Sequence, residues 1–229
     1  FLRDIFVAKF GIPAHRTDIV YHGRDTFQAS ATVLSASLGL AASTPFILSV
    51  SHLYPYKNLP VLVRAYDQAR DRLQKRNLKL VIVGKAKRPS HLLRLQSLIE
   101  RLNLKEWVLL PGPVPHEQIG GLLGSCEFFV FQSTCENCPN TLIEALAAGV
   151  PTASSSAAVM PEIAGDGALY FDPFDPTTIA QRLVQLAESN ELRQDLSRRA
   201  RNRAAMFPTW HDVGRSTVEC LERAAGVRP

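Results

Sequence analysis

Cysteine and long apolar runs are both scarce in this sequence. Its 229 residues include 4 cysteines, too few for a disulfide-stapled scaffold, so we expect a reducing compartment. The longest apolar stretches, such as residues 107–110 and 128–131, fall far short of the roughly 20 residues that a membrane-spanning helix needs. The sequence therefore predicts a globular protein that does not cross a bilayer.

The start of the chain lacks an initiator methionine and a leader. It opens with Phe1-Leu2-Arg3-Asp4, whereas a secretory leader would show a basic segment followed by an apolar one. We therefore expect this chain to be cut from within a longer cytoplasmic protein.

Positive charge is only mildly in excess, with 26 Lys and Arg against 21 Asp and Glu and a net charge of +5. This balance suits phosphate-bearing ligands or an anionic membrane surface. Nucleic-acid readers usually show a basic stripe interleaved with aromatics, whereas the aromatics at 128–131 lie in an apolar run. The arginine-rich segment 190–206 is interpreted as a solvated helix face, with a membrane or nucleic-acid face as the alternative.

From Pro45 onward, short apolar runs alternate with segments of helical periodicity. This pattern predicts a Rossmann-like, doubly wound parallel sheet of about six strands with helices on both faces. Between the runs, apolar residues recur at helical spacing over 59–73, 92–102 and 179–186, and Asp175-Pro176 is a helix start signal. The six predicted strands are residues 46–50, 78–83, 107–110, 128–131, 150–153 and 168–171.

Three parts of the chain follow from this pattern. Residues 1–44 are predicted as a hinge and linker segment, with 17–21 as one further strand and 26–44 as a linker or surface excursion. Residues 45–208 are the Rossmann-like domain, and residues 209–229 are a C-terminal helix and tail.

Ligands of an open parallel sheet bind beyond the carboxyl ends of the strands, so the residues after each run are candidates. Lys57 follows the first run at the opening of a helix, where it could neutralise a phosphate. Gly84 follows the second run ahead of the cations of 85–88, although a plain turn explains a lone glycine equally well. The third run leads into the stiff loop 111–115, which could hold a flat ring.

The segment after the fourth run is the richest in polar groups. Glu136 lies in a loop and Glu144 about a turn into the following helix, and the N–H groups of 138–141 would point into the crevice near Lys57. Two such carboxylates suit vicinal sugar hydroxyls. The alternative is a surface loop acid and a solvated helix acid, but the small residues 145–149 favour a buried helix, where an unpaired acid is costly.

Cys135 and Cys138 form a Cys-x-x-Cys pair inside this segment. The two other cysteines stand alone and no His-x-x-x-His is present, so the spacing is a poor match for zinc. We interpret the pair as incidental and expect no metal. A dinucleotide dehydrogenase is disfavoured because no Gly-x-Gly-x-x-Gly follows any strand.

The segment from Glu136 to Glu144, continued by 145–151, resembles the Glu-x7-Glu signature of retaining glycosyltransferases of family 4, which have the GT-B fold. Residues 49–58 are similar to that family's Gly-Arg-Leu-x-x-x-Lys-Gly segment, and 80–84, 110–114 and the closing Trp210 helix follow in order. The resemblance covers about residues 17–224. It implies the second of two Rossmann-like domains, joined to the first through a hinge at 21–25.

The resemblance implies specific roles for three charged side chains. Lys57 is expected on the diphosphate of a nucleotide sugar, Glu136 on hydroxyls of the transferred sugar, and Glu144 on the ribose. Lys57 and Glu136 are the expected catalytic residues. The donor would be a UDP-sugar or a GDP-sugar, with no cofactor or metal.

Other positions of the expected donor site act through their backbone or depart from the family. Backbone groups of Asn140, Thr141 and Leu142 should approach the phosphates, Gly84 the nucleotide and Val114 the base. His52 stands where the family usually has an arginine, and 137–140 replace the commoner Gly-Phe-Gly-Leu. Diphosphate neutralisation is therefore expected to be weaker or shared with Lys85, Lys87 or Arg88.

The implied activity is a retaining hexosyl transfer in polysaccharide or glycoconjugate biosynthesis, completed by an N-terminal domain that holds a sugar or lipid-linked acceptor. The isolated chain should be inactive in transfer. Two alternatives stay open: a nucleotide-sugar epimerase of the same fold and a non-catalytic nucleotide-sugar-binding module. No nucleic-acid partner is expected, and peripheral association of the full-length protein with the inner face of the membrane is left open.

Overall fold

The computed structural model describes residues 1–24, 38–41 and 44–226. Within them, one sheet of six strands is formed, and every neighbouring pair of strands is parallel. The strands are β1 Phe46–Val50, β2 Lys79–Val83, β3 Val108–Gly112, β4 Phe128–Phe131, β5 Thr152–Ser155 and β6 Leu169–Phe171. Each predicted run thus contributes a strand, with ends that shift by up to two residues.

The strand order is β3-β2-β1-β4-β5-β6. Strands are added on one side of β1 as far as β3 and on its other side from β4 onward, so the strand order reverses between β1 and β4 while all strands stay parallel. β1 pairs with both β2 and β4, and Ile47 lies opposite Phe128 in the second pairing. Loops leaving β1 and β4 therefore diverge to opposite sides and open a crevice at their carboxyl ends.

Ten helices pack around or beside the sheet in the described residues. They are α1 Leu2–Phe10, α2 Leu59–Gln68, α3 Arg70–Gln74, α4 Pro89–Arg101, α5 Ile119–Ser125, α6 Asn140–Ala147, α7 Met160–Ala164, α8 Pro176–Glu188, α9 Asn190–Ala205 and α10 Trp210–Ala224. Two apolar cores result. Ile47 and Phe128 face α2, α4 and α8, whereas Leu48 and Phe129 face α5, α6 and α7.

Local signals for helix ends hold in part. Asp175 caps α8 by accepting the N–H of Thr177 at 2.8 Å, with Pro176 at the first helical position as predicted. The helix expected over 59–73 instead ends at Gln68, and the short α3 carries Leu73 into the core. The apolar periodicity therefore continues here although the helix itself is interrupted at Ala69.

The first 24 residues differ most from expectation. No strand forms over 17–21. The first 24 residues contact the rest of the fold through an isolated bridge between Arg24 and Thr209 and through side-chain bonds such as Tyr21 to Glu162 and His22 to Asn140. Ile19 is exposed rather than paired in a sheet. A helix, α1, stands where only hinge and linker were predicted. The linker predicted over 26–44 lies mostly outside the described residues, although Leu38 and Leu40 are buried.

The arginine-rich helix α9 uses two of its arginines inside the fold and leaves three on its exposed face. Arg193 donates to the Leu186 carbonyl at 2.6 Å, and Arg203 donates to the Ile163 carbonyl at 2.8 Å. Arg198 and Arg199 both pair with Asp195. The bonds of Arg193 and Arg203 attach α9 to α8 and α7, whereas the pairs of Arg198 and Arg199 with Asp195 lie within α9 on its exposed face.

Helix length and polarity also bear on membrane crossing. Among the described residues, no helix combines the length and the apolar character that a bilayer span requires.

Gly84 is fixed by a close backbone approach. A Cβ at this position would lie 1.8 Å from the Ser51 carbonyl oxygen, so the chain leaving β2 passes directly against the chain leaving β1. The glycine is therefore required by the fold at the crevice, whatever ligand the crevice holds.

We predict that Gly84→Ala lowers the free energy of unfolding by roughly 3 kcal/mol, because backbone atoms cannot move aside for the methyl group. Urea unfolding of the wild type and the variant measures this change. Gly214→Ala is the matched control, since its Cβ would meet open space within α10, and it should stabilise by up to about 1 kcal/mol. Equal urea midpoints for wild type and Gly84→Ala would contradict the steric argument.

Candidate functional site

A short turn after β1 positions Lys57. Pro55 opens a 3-10 turn that ends at Lys57, and Asn58 follows with φ 56°, a conformation that asparagine tolerates well. The Asn58 side chain donates to the Pro173 carbonyl at 2.6 Å and ties the turn to the loop after β6. The backbone at Lys57 is therefore held in place at the carboxyl end of β1, where the strand order reverses.

Lys57 and Glu136, predicted independently from two segments, meet in the structure. The Lys57 Nζ donates to Glu136 Oε1 at 2.5 Å, and the two side chains are only 14% and 11% exposed. The same Nζ lies 5.3 Å from the Tyr56 ring centroid and 5.6 Å from that of Phe131. Glu136 is therefore not a surface loop acid, and its partner is a shielded ammonium.

Main-chain bonds hold the two loops that carry this pair together. The Thr134 N–H donates to the Tyr56 carbonyl at 2.8 Å, and its hydroxyl donates to the same oxygen at 3.2 Å. The Gln132 side-chain amide donates to the Lys57 carbonyl at 2.7 Å. The loops after β1 and β4 are consequently one connected unit.

The start of α6 supplies N–H groups to the crevice. The Leu142 N–H donates to the Pro139 carbonyl at 3.0 Å in this structure, and the phosphate contact expected of Leu142 stays a prediction. Asn140 and Thr141 are the first two residues of the helix, whose N–H groups have no acceptor within the helix by geometry. An anion at this helix start would meet those two donors.

Glu144 is buried, with 7% of its surface exposed, as the small residues after it predict. It lines a hollow of about 280 Å³ together with Gly23, His116, Asn140 and Trp210. Segment 21–24, predicted as part of a hinge, thus lines this hollow together with the loop after β3, α6 and the start of α10. The ribose contact expected of Glu144 stays a prediction.

Asn140 is oriented from the hinge. The His22 Nδ1–H donates to Asn140 Oδ1 at 2.6 Å, and the His22 ring lies 5.7 Å from that of Trp210. A Cβ on Gly23 would come within 2.6 Å of the Trp210 nitrogen, so the hinge and α10 are in direct backbone contact. Both the hinge and the last helix therefore build the wall of this hollow.

The basic loop after β2 adds further positive charge beside the Lys57 turn. The Leu53 N–H donates to the Lys85 carbonyl at 3.1 Å, which draws the two loops together. The Lys87 Nζ lies 5.7 Å from the Tyr54 ring, and Tyr54 stacks on Tyr56 at 5.6 Å. Cations from two loops, Lys57 and Lys87, thus flank a tyrosine pair, and the sharing of diphosphate charge with Lys85, Lys87 or Arg88 stays a prediction.

His52 lies among these cations and is biased toward its neutral form. Partial burial is the main cause, and the charges of Lys87, Lys57 and Lys85 add to it, so the pKa of His52 lies below its ordinary value of 6.5. At neutral pH the ring therefore adds no positive charge of its own.

The loop expected to hold the base is partly strand. Residues 111 and 112 extend β3, and the Gly84 N–H donates to the Gly112 carbonyl at 3.0 Å. Val114 lies just beyond and is half-buried against the core shared by α5, α6 and α7. The predicted loop therefore begins at residue 113, which leaves the side chain of Val114 committed partly to packing.

Sequence reasoning missed His22, His116, Gln132 and Trp210. His116 and Gln132 each follow a strand at the carboxyl edge, so the rule that selected Lys57 also applies to them. His22 and Trp210 gave no such signal, because their contacts depend on where the hinge crosses α10.

Metal ligation finds no support in the described residues. Across 1–24, 38–41 and 44–226, no three His, Cys, Asp or Glu side chains cluster as metal ligands would. All four cysteines are free thiols, including Cys135 and Cys138. Burial raises the pKa of the Cys138 thiol and keeps it protonated.

Comparison with known protein families shows the family to which the chain belongs. The model of the family "Glycosyl transferases group 1" matches residues 31–203, which is more than half of the sequence. The chain belongs to this family of glycosyltransferases.

A curated relative and two solved structures illustrate the similarity. The Campylobacter jejuni N-acetylgalactosamine-N,N'-diacetylbacillosaminyl-diphospho-undecaprenol 4-alpha-N-acetylgalactosaminyltransferase is 34% identical and is covered over 53% of its length by 90% of this chain. A Rickettsia africae glycosyltransferase has a TM-score of 0.85 at 17% identity, covering 97% of this chain and 61% of its own. Anabaena Alr3699/HepE in complex with UDP-glucose has a TM-score of 0.84 at 21% identity, covering 96% and 61%.

These matches establish the fold and its extent. The structural neighbours are GT-B glycosyltransferases, so the α/β Rossmann-like fold is that of one GT-B domain. The chain spans about half the length of the curated relatives it matches.

We predict that His52 titrates below pH 6.5 in the unliganded protein, as measured from its ring resonances by NMR. The folded state then binds this proton more weakly than the unfolded state, so the resulting stability penalty is absent well above pH 6.5, grows as the pH falls from 6.5 toward the folded pKa, and is complete below it.

Lys87→Met should raise the pKa of His52 part of the way back, because burial remains as the larger cause. Lys105→Met, which removes a cation paired with Glu100 on α4, is the control and should leave it unchanged. A wild-type His52 titrating at or above 6.5 would show that burial and the three lysines do not act as described.

Proposed function

We propose that this chain is the nucleotide-sugar donor domain of a retaining glycosyltransferase of family 4. The single observation that carries the proposal is the shielded Lys57–Glu136 pair at the reversal of strand order, with buried Glu144 in the adjoining hollow. A cation for the diphosphate and two carboxylates for sugar hydroxyls are the groups that such a donor requires. The UDP-glucose bound to Anabaena Alr3699/HepE supports a donor of this class.

In this proposal, the crevice stabilises the leaving group. The bond between the sugar C1 and the diphosphate oxygen breaks, and a bond forms between C1 and the acceptor oxygen on the same face. The acceptor proton passes to the departing phosphate oxygen. Lys57 and the N–H groups of Asn140 and Thr141 would stabilise the charge that this oxygen gains, so we expect no metal requirement.

The ion pair between Lys57 and Glu136 also affects how a donor would bind. Lys57 donates to Glu136 in this structure, so a diphosphate would have to compete with the carboxylate for the ammonium. Sugar hydroxyls that donate to Glu136 would replace its lost partner. A complete nucleotide sugar therefore compensates both members of the pair, whereas a free nucleoside diphosphate compensates only Lys57.

The acceptor is proposed to come from a preceding domain. Within the described residues, α1 and α10 bury none of their side chains, and they expose Phe6, Phe10, Val218 and Leu221. Apolar side chains grouped on uncovered helices favour contact with another surface. The isolated chain should accordingly bind a nucleotide but transfer no sugar, and any contact with the membrane would belong to the full-length protein and its acceptor.

Titration of the chain with UDP, GDP and other nucleoside diphosphates tests the proposal directly. We expect amide resonances over 136–144 to shift on binding of one of them. If every nucleotide leaves these resonances unmoved, the donor-domain proposal is wrong. Assay of the full-length protein with and without acceptor separates a transferase from an epimerase, which needs no acceptor.

We predict that Lys57→Met weakens binding of the preferred nucleoside diphosphate about 10- to 100-fold, the range for loss of a charge-assisted hydrogen bond. Calorimetric titration measures the change. Lys105→Met removes an exposed cation elsewhere and should leave the affinity unchanged. The double variant Lys57→Met/Glu136→Gln leaves no unpaired buried charge, so it should fold like the wild type and still bind the nucleotide weakly. Wild-type affinity of this double variant would show that Lys57 is not a ligand of the diphosphate.

Glu136→Gln should change binding in the opposite direction. Removing the carboxylate frees Lys57, so we expect the nucleoside diphosphate to bind about 2- to 5-fold more tightly. Transfer by the full-length protein should fall at least about 100-fold, because the sugar loses a charged acceptor. Weaker nucleotide binding by this variant would contradict the competition between carboxylate and diphosphate.

A further inference from the structure

Gln132 is a buried amide at the end of β4. Only 2% of its surface is exposed, and both ends of the amide are used. Its Oε1 accepts from the Ser49 hydroxyl of β1 at 3.0 Å, and its Nε2 donates to the Lys57 carbonyl at 2.7 Å. One side chain thus connects β4, β1 and the turn that carries Lys57.

The bond to the Lys57 carbonyl matters because the Lys57 side chain is confined. Its ammonium lies against the rings of Tyr56 and Phe131 and on Glu136. The position of Nζ therefore follows the position of the turn. Misplacement of a binding group by about 1 Å can cost 100-fold in function.

We propose that Gln132 is a positioning residue that sets the place of the Lys57 ammonium through the main chain of the 55–57 turn. The proposal rests on the proposed function only for the meaning of that ammonium as a diphosphate ligand. Glutamine is required because the site needs a donor for a carbonyl and an acceptor for a hydroxyl at once. Glutamate lacks the donor, and methionine of similar length lacks both.

Binding of UDP, with GDP as a second probe, tests this assignment in the full chain. We expect Gln132→Met to weaken nucleotide binding roughly 10-fold. Ser49→Ala is the matched control, because it removes the other hydrogen bond of the same amide without touching Lys57, and it should change the affinity by less than about 2-fold.

A positioning role is separated from a general loss of stability by a double-mutant cycle. If Gln132 acts through Lys57, adding Gln132→Met to Lys57→Met should cost less than about a further 2-fold. A structural role would give the same fold loss in both backgrounds. Ser49→Ala/Gln132→Met removes the Ser49 hydroxyl that Gln132→Met alone would leave without its acceptor, so the Lys57 carbonyl is the one group that loses its bond to residue 132; this variant should still bind weakly.

A second readout needs no ligand. Gln132→Met should accelerate amide hydrogen exchange at Lys57, Asn58 and Thr134, while amides within β1 and β4 keep their wild-type protection. Unchanged exchange at the turn, or wild-type nucleotide affinity of the variant, overturns the inference. If the wild type binds no nucleotide but the exchange changes as expected, the proposed function fails and the positioning of the turn by Gln132 stands.

Discussion

The parallel pairing of β1 with β4 is the constraint on which the site depends. At this pairing the strand order reverses, so the loops that follow β1 and β4 separate and leave a crevice between them. Lys57 comes from one loop and Glu136 from the other. The two residues are 79 positions apart in sequence, and they meet because the strands before them are neighbours in the sheet. The chemistry of the site is thus a consequence of sheet topology.

The basic side chains described at this crevice already have interactions within the protein. The ammonium of Lys57 is paired and shielded, His52 is biased to its neutral form, and Lys87 packs over Tyr54. A buried or half-buried charge is tolerated when it has a partner, and the partner then becomes part of the binding equilibrium. A ligand that enters this crevice would therefore meet groups that are already engaged.

The sequence predicts what local patterns control and misses what distant contacts control. All six strands, the cap at Asp175 and the candidates Lys57, Glu136 and Glu144 follow from apolar runs and from the residues after them. The strand expected at 17–21 fails because β-branched composition cannot provide a neighbouring strand. The contacts of His22 and Trp210 depend on packing between segments far apart in the chain, which no periodicity records.

The contact between Gly23 and Trp210 leaves no room for even a methyl group. Both residues also line the hollow that contains Glu144. A rotation of α10 relative to segment 21–24 would therefore change the width of that hollow. A molecule bound beside Glu144 would shift the equilibrium between two orientations of α10, and the orientation would change the binding free energy of that molecule by the same amount. Ligand affinity beside Glu144 and the orientation of α10 are in this way thermodynamically coupled.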